Sequence, residues 1–323
     1  MMNRQQIKQR LQTVLDLPGV YKMLDEYGNI LYIGKSIALK TRVSSYLAKE
    51  IKRGHKIQQM LVRLWDVEVY YTDTELDALL LECKWIKFYR PPYNTALMHT
   101  ERYGYLIVES SPHYRIRWSK TRPEKALRVI GPLTQPRLSR QAQAFFESQY
   151  PFMCCKNKIE ECMKNTFGKC EGYCAQDVRA QRLDFIDQAL AKESPLPAKL
   201  MTQIEGYSEA WEFEKAGTYY EYLRGLNYIR GMYEMLERLE SQSLIGRLPI
   251  QGTLFYKYYL ILNGVIYHIC VGMAYEEAEI VEHLRTLTQD KKVRYKVRVL
   301  KENIDEVKIL YSFIERKMYR IEV

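Results

Sequence analysis

Residues 17–47 read LPGVYKMLDEYGNILYIGKSIALKTRVSSYL. Two short apolar runs, 20–24 and 30–33, flank Asp25-Glu26-Tyr27-Gly28-Asn29, whose Gly and Asn suit a tight reversal, so the stretch is expected to form a strand pair. Helical apolar spacing follows at 38–49 and again at 55–64. Residues 67–71 alternate like a strand, and 75–89 form a strong helical pattern that Pro91-Pro92 must stop. The expected order is β-β-α-α-β-α.

Beyond residue 100, three short strands are expected between 103 and 131, ending at Gly131-Pro132, with a helix over 138–149. After Cys174 the pattern is helical to about residue 240, broken at Ser194-Pro195-Leu196-Pro197. The tail suggests a hairpin turning at Leu262-Asn263-Gly264, a helix near 276–288, a strand at 293–300 and a last helix over 304–317. The fold class expected is a mixed α/β (α+β) multidomain chain. It divides into a first domain over 1–98 with a small, mainly antiparallel sheet flanked by helices, a β-rich and helical linking segment over 99–150, a cysteine-bearing helical region over 151–240, and a small α/β domain over 241–323. Neither an internal repeat nor a low-complexity segment is present.

The 323 residues, 47 % of them hydrophobic, suffice for two or three cores and exclude wholesale disorder. Lys and Arg number 49 against 39 Asp and Glu, a net charge of +10. Residues 1–150 hold 24 basic and 14 acidic side chains, whereas 151–323 hold 25 of each, so the whole excess sits in the first half. A surplus confined to one half points to a polyanion-binding surface, with nucleic acid as the leading partner and an anionic membrane surface as the alternative. The most apolar window, 253–273, is interrupted by Lys257, Asn263 and His268, and the N-terminus carries charges where a leader would need an apolar stretch. A cytoplasmic protein with no membrane span is expected.

Two tripeptides stand out: Gly19-Val20-Tyr21 and Tyr32-Ile33-Gly34. On adjacent antiparallel strands this spacing can bring both phenols to one face, since side chains alternate with period two. Lys35 follows directly, and Arg42 and Tyr46, four apart, share a helix face. Glu82 closes the run Leu79-Leu80-Leu81-Glu82. A carboxylate among leucines is costly to bury alone, so Glu82 is expected to pair with a Lys or Arg, or to hold a metal.

These stretches, together with TDTELDALLLECKWIKFYRPPYN at 72–94, resemble the GIY-YIG endonuclease domain, in the version that opens UvrC and its shorter homologue Cho. The likeness is dense over 12–97 and looser to about 225, with Val20 standing where the family has Ile. The resemblance implies that Tyr32 acts as general base, with Tyr21 hydrogen-bonding in the same site. Because a free phenol titrates near ~10, such a base needs nearby positive charge, from Lys35 and a bound cation. It further implies that Glu82 anchors one divalent ion, Mg2+ or Mn2+, that Arg42 stabilises charge on the phosphoryl group, that Tyr46 positions the phosphate, and that Asn94 ties the loop after the prolines back onto the site. The reaction implied is hydrolysis of a DNA phosphodiester, and the alternatives are a DNA-binding module that recruits repair proteins without cutting and a mobile-element nuclease.

Of seven cysteines, five (Cys154, Cys155, Cys162, Cys170, Cys174) fall within 21 residues, which in a reducing compartment suggests a metal or cluster site. The intervals are not the paired C-x2-C of structural zinc, and four thiolates suit zinc or an iron–sulfur cluster alike. Their similarity to the UvrC cysteine segment implies a 4Fe-4S cluster on Cys162, Cys170, Cys174 and either Cys155 or Cys154. The isolated Cys83 and Cys270 read as small hydrophobes. Residues 208–226, with Ala210-Trp211-Glu212-Phe213-Glu214-Lys215-Ala216, are similar to the UVR helix hairpin by which UvrC meets UvrB, although Tyr219-Tyr220-Glu221 replaces the family's Arg-Asp; the same residues also read as a plain amphipathic helix. UvrA- and UvrB-type partners and damaged duplex DNA follow from the resemblance. The tail shows no carboxylate spacing for a second centre, so one incision, on the 3′ side of a lesion as in Cho, is expected.

Overall fold

The computed structural model describes residues 4–47, 54–109, 115–149, 179–240, 242–288 and 298–322. It is a mixed α/β chain whose contacts separate into two compact units, residues 1–100 with 239–323, and residues 101–238.

The first unit begins with α1 (Arg4–Gln12), followed by the hairpin of β1 (Gly19–Leu24) and β2 (Ile30–Ser36). Gly28, at φ 80°, and Asp25, which accepts the backbone N–H groups of Tyr27 and Asn29, close the turn. Helices α2 (Leu39–Leu47) and α3 (His55–Arg63) lead to β3 (Asp66–Tyr71), and α4 (Glu75–Tyr89) follows. The antiparallel sheet has the order β2-β1-β3, so β1 is central and buried along its whole length. One face, through Tyr21, Met23 and Leu31, packs on Leu39, Val43, Leu47, Met60 and Leu64; the other, through Val20 and Ile33, packs on Ala78 and Ile86 of α4.

Helix α4 has strong local punctuation at both ends. Thr74 and Asp77 form a capping box, and Arg90 ends the helix in the left-handed conformation (φ 48°), immediately before the prolines. On the α4 face of the sheet, Lys22 of the central strand β1 is buried with its ammonium 4.8, 4.3 and 4.7 Å from the ring centres of Tyr70, Trp85 and Tyr89.

In the second unit, β4 (Gly104–Glu109), β5 (Arg115–Ser119) and β6 (Arg128–Leu133) form an antiparallel sheet of order β5-β4-β6. Helix α5 (Pro136–Gln149) covers it, with Tyr228 Oη accepting the N–H groups of Thr134 and Gln135 at its start. Helices α6 (Arg179–Leu190), α7 (Leu196–Glu209) and α8 (Phe213–Glu240) follow. At the junction of α7 and α8, Trp211 and Phe213 are 80 % and 61 % exposed, while Ala216, Leu223 and Leu226 further along α8 are buried, as in an amphipathic helix.

The last part of the chain returns to the first unit as a meander of β7 (Ser243–Pro249), β8 (Phe255–Leu262) and β9 (Val265–Met273), then α9 (Glu277–Thr288), α10 (Ile304–Arg316) and β10 (Tyr319–Glu322), giving the sheet order β10-β7-β8-β9. This part grips both ends of α4. Tyr259 Oη lies 2.9 Å from Thr74 Oγ1, and Lys257 Nζ reaches Asp73 and Asp77 at 2.8 and 2.9 Å. At the other end Lys87 pairs with Asp305 and Glu306 at 3.1 and 2.7 Å. Of the expected strand at 293–300, residues 298–300 have no regular structure and the remainder lies outside the described residues.

Candidate active site

The register of the hairpin decides which side chains meet. Tyr21 pairs with Gly34 and Met23 with Tyr32, so the two tyrosines lie diagonally on one face, their ring centres 6.2 Å apart. Gly34 is needed for this: a Cβ there would overlap the Tyr21 phenol and the edge of the Tyr32 ring. Gly19 is constrained in the same way, because a Cβ would strike the Tyr70 carbonyl on β3 and Leu39 on α2.

Helix α2 lies over that face and delivers Arg42 and Tyr46 from successive turns. Tyr46 Oη is 3.1 Å from Tyr21 Oη and accepts a hydrogen bond from Arg42 Nη2 at 3.1 Å, forming a chain of two phenols ending on a guanidinium. The Arg42 guanidinium also sits 5.1 Å from the Tyr46 ring centre.

Glu82 enters from α4. Its Oε1 accepts the backbone N–H of Lys35 at 3.0 Å, while the Lys35 ammonium turns to Glu75 Oε1 at 2.8 Å. Glu75 is shared with Lys317 from the end of α10. Asn94 binds the free edge of β2 as a short strand would: its Oδ1 accepts the N–H of Ile33 at 3.0 Å and its Nδ2 donates to the Ile33 carbonyl at 2.9 Å. Tyr93 N–H adds a bond to the Leu31 carbonyl. The structure thus brings Tyr21, Tyr32, Lys35, Arg42, Tyr46, Glu82 and Asn94 around one face and edge of a single sheet.

Electrostatics separate their roles. Burial pushes the Glu82 carboxyl above the usual carboxylate range, and the Lys35 N–H, the Lys35 charge and Arg42 only partly offset it. Burial, then Tyr46 and Glu82, push the Tyr32 phenol up to about 12 against the pull of Arg42. Tyr21 is raised further, by burial and by its two phenolic neighbours. Burial also opposes ionisation of Glu75, but hydrogen bonds from Lys317 and Lys35 hold its carboxyl below the usual value. Among the described residues no Lys or Arg side chain forms an ion pair with Glu82, since the adjacent ammonium is committed to Glu75. A half-buried carboxylate with one oxygen bonded to an amide and, among the described residues, no ion pair suits a hard cation with oxygen ligands.

Glu75 was absent from the residues singled out in the sequence. Its position in the first turn of α4 marks it as a helix-start acid, but its two lysines come from β2 and from residue 317. The cysteines at 154, 155, 162, 170 and 174 lie outside the described residues.

Two crossed phenols, a helix guanidinium and a helix carboxylate around a three-stranded antiparallel sheet define a GIY-YIG endonuclease domain. Comparison with known proteins agrees: residues 17–95 are a UvrC-like GIY-YIG domain. The chain is 31 % identical over 223 residues to UvrABC system protein C of Thermoanaerobacter sp. (strain X514), covering 65 % of this chain and 36 % of that protein. It is 30 % identical over 257 residues to UvrABC system protein C of Clostridioides difficile (strain 630), covering 75 % and 41 %. The chain therefore spans about two-fifths of the length of these relatives. The crystal structure of the GIY-YIG N-terminal endonuclease domain of UvrC from Thermotoga maritima, bound to its catalytic divalent cation magnesium, is 30 % identical, matching 29 % of this chain and 100 % of that one with a TM-score of 0.26.

Proposed function

We propose that the protein is a divalent-cation-dependent DNA endonuclease of nucleotide excision repair that makes one phosphodiester incision, on the 3′ side of a lesion. The observation that carries this reading is Glu82, a half-buried carboxylate without an ion pair among the described residues that is bonded to the backbone of Lys35 on the strand carrying Tyr32, and whose charge interacts with Tyr32 and Arg42. Glu82 would hold one Mg2+ or Mn2+, which when bound polarises a phosphate oxygen and favours the ionised phenol. Tyr32 takes the proton of the attacking water as the water oxygen bonds to phosphorus. Arg42, fixed through Tyr46 and Tyr21, meets the negative charge that develops as the bond to the leaving oxygen breaks, and that oxygen takes up a proton from solvent. Lys35 and Asn94 hold the strand that carries Tyr32.

The confinement of the whole +10 to the first half supports duplex DNA as the substrate. UvrA- and UvrB-type proteins are the proposed partners, with the exposed α7–α8 tip as the contact, and the cytoplasm is the proposed location. Among the described residues no helix is long and apolar enough to cross a membrane. A 4Fe-4S cluster on Cys155 (or Cys154), Cys162, Cys170 and Cys174 completes the reading; it rests on sequence, and iron in anaerobically purified protein supports it whereas zinc alone removes it. The domain division at 98, 150 and 240 is part of the same proposal.

The decisive experiment incubates lesion-bearing duplex with the protein, Mg2+ or Mn2+, and UvrA with UvrB. A single nick at a defined position is expected, with loss of about 10²–10³-fold in rate for Arg42→Ala and no nick for Glu82→Gln. Nicking that survives both substitutions refutes the assignment. Salt-dependent duplex binding without a nick under any cation would establish the non-cutting recruitment module instead.

A further inference from the structure

The tail carries a second constellation unrelated to the nuclease face. Strand β9 is the edge of the four-stranded sheet, and its period-two alternation sets His268 and Cys270 on one side while Tyr267, Ile269 and Val271 are exposed on the other. The short turn at Ala274–Glu276 reverses the chain, and α9 returns along the His268–Cys270 side. Val281 and Leu284 of α9 pack into the sheet core next to Cys270, which leaves His283, between them in sequence, at the rim of the contact. One donor atom from each of His268, Cys270 and His283 lies within 4.8 Å of the other two, and the two imidazole rings meet edge-on with centres 6.0 Å apart.

We propose that His268, Cys270 and His283 bind one transition-metal ion of the zinc class, which fastens α9 to the edge strand. Two imidazoles and a thiolate favour such an ion over Mg2+ or Mn2+, which prefer oxygen ligands, so this site and Glu82 suit chemically different metals. Bonds of about 2.0–2.3 Å in tetrahedral geometry place donors roughly 3.3–3.7 Å apart. The observed separation is therefore closed by about 1 Å of movement in two exposed histidines on a fixed cysteine. Cys270 is half-buried and both histidines are exposed, so the ion has a route in from solvent and keeps one position for water. Burial raises the Cys270 thiol pKa, and binding replaces its proton by the metal, releasing one H+ per ion to solvent while each imidazole binds through a neutral nitrogen.

The test titrates Co2+ into the reduced full-length protein under anaerobic conditions, alongside Cys270→Ser and His283→Asn. Wild type is expected to bind one more ion than either variant, with the thiolate-to-cobalt charge-transfer absorbance of that ion missing from both; the cysteines at 154–174 contribute equally to all three. Equal stoichiometry and identical spectra overturn the proposal. Hydrogen exchange of wild-type peptides from 265–288 gives a second measurement that needs no variant: Zn2+ is expected to slow exchange there, and unchanged exchange overturns the proposal. Glu82→Gln must retain this ion, so failure of the nuclease reading and failure of this one are separable.

Discussion

Replacing Gly34 by alanine isolates what the second tripeptide contributes. The backbone at 34 does not lie in the left-handed region, so alanine is conformationally acceptable and by that effect alone would stabilise by about 0.4–1 kcal/mol. The new Cβ, however, would sit inside contact distance of Oη and Cζ of Tyr21 and 2.9 Å from Cε1 of Tyr32. Tyr21 is fully buried between β2 and α2, so its ring cannot swing into solvent. Overpacking of this kind costs about 1–3 kcal/mol, which outweighs the entropic gain and leaves a net loss near ~1–2 kcal/mol. The displaced phenol also lengthens the Tyr21–Tyr46–Arg42 chain, so the nicking rate is expected to fall by about tenfold or more, since 1.4 kcal/mol of transition-state stabilisation corresponds to a factor of ten. The assay pairs urea denaturation with single-turnover nicking. Gly28→Ala serves as control: its φ is 80° and nothing lies within 4 Å of the new methyl, so it should lose about 1 kcal/mol of stability with no change in rate. A Gly34→Ala protein as stable and as fast as its parent would refute the steric account of the site.

Asn94→Ala is expected to destabilise by about 1–3 kcal/mol, because the Ile33 N–H and carbonyl on the edge strand lose their partner; faster amide exchange at residues 31–35 is the readout. Lys22→Met keeps the length of the side chain but removes its charge from three aromatic faces, and a loss of about 1–2 kcal/mol in denaturation with unchanged nicking is expected. Because the folded pKa of Glu82 is raised, that group binds more protons in the native state than in the unfolded one, and its contribution to stability falls as pH rises through the folded value. Added Mg2+ should reverse this, raising the denaturation midpoint at pH 8 but not at pH 4, and at neither pH in Glu82→Gln; a shift of equal size in that variant would rule out Glu82 as the ligand.

What the sequence conveys depends on how local the causes are. Helix α4 was readable residue for residue, since Thr74, Asp77 and Pro91 punctuate it within its own span. The turn at Asn263-Gly264 was readable for the same reason, and both residues do adopt positive φ. The cluster of Tyr21, Tyr32, Arg42 and Tyr46 could be anticipated from strand and helix periodicity within thirty residues. Helix α1 has no such signal: Ile7 and Leu11 bury one face, but polar residues dominate the window. Strands β7 and β10 escaped because each is defined by its partner: Tyr319–Glu322 is four residues long and pairs with Leu244–Arg247, more than seventy residues earlier. The Glu75–Lys317 contact has the same character, and no local pattern announces it.

The grip of the last eighty-five residues on α4 has a consequence for how the nuclease centre can be handled. Glu82 rides on a rod whose first turn is bound by Lys257 and Tyr259 and whose final turn is bound by acids of α10. An excised fragment ending near residue 98 would leave that rod clamped only along its flank. Grafts, truncations and chimaeras that transplant the incision chemistry without the tail give up the contacts at both ends of that rod.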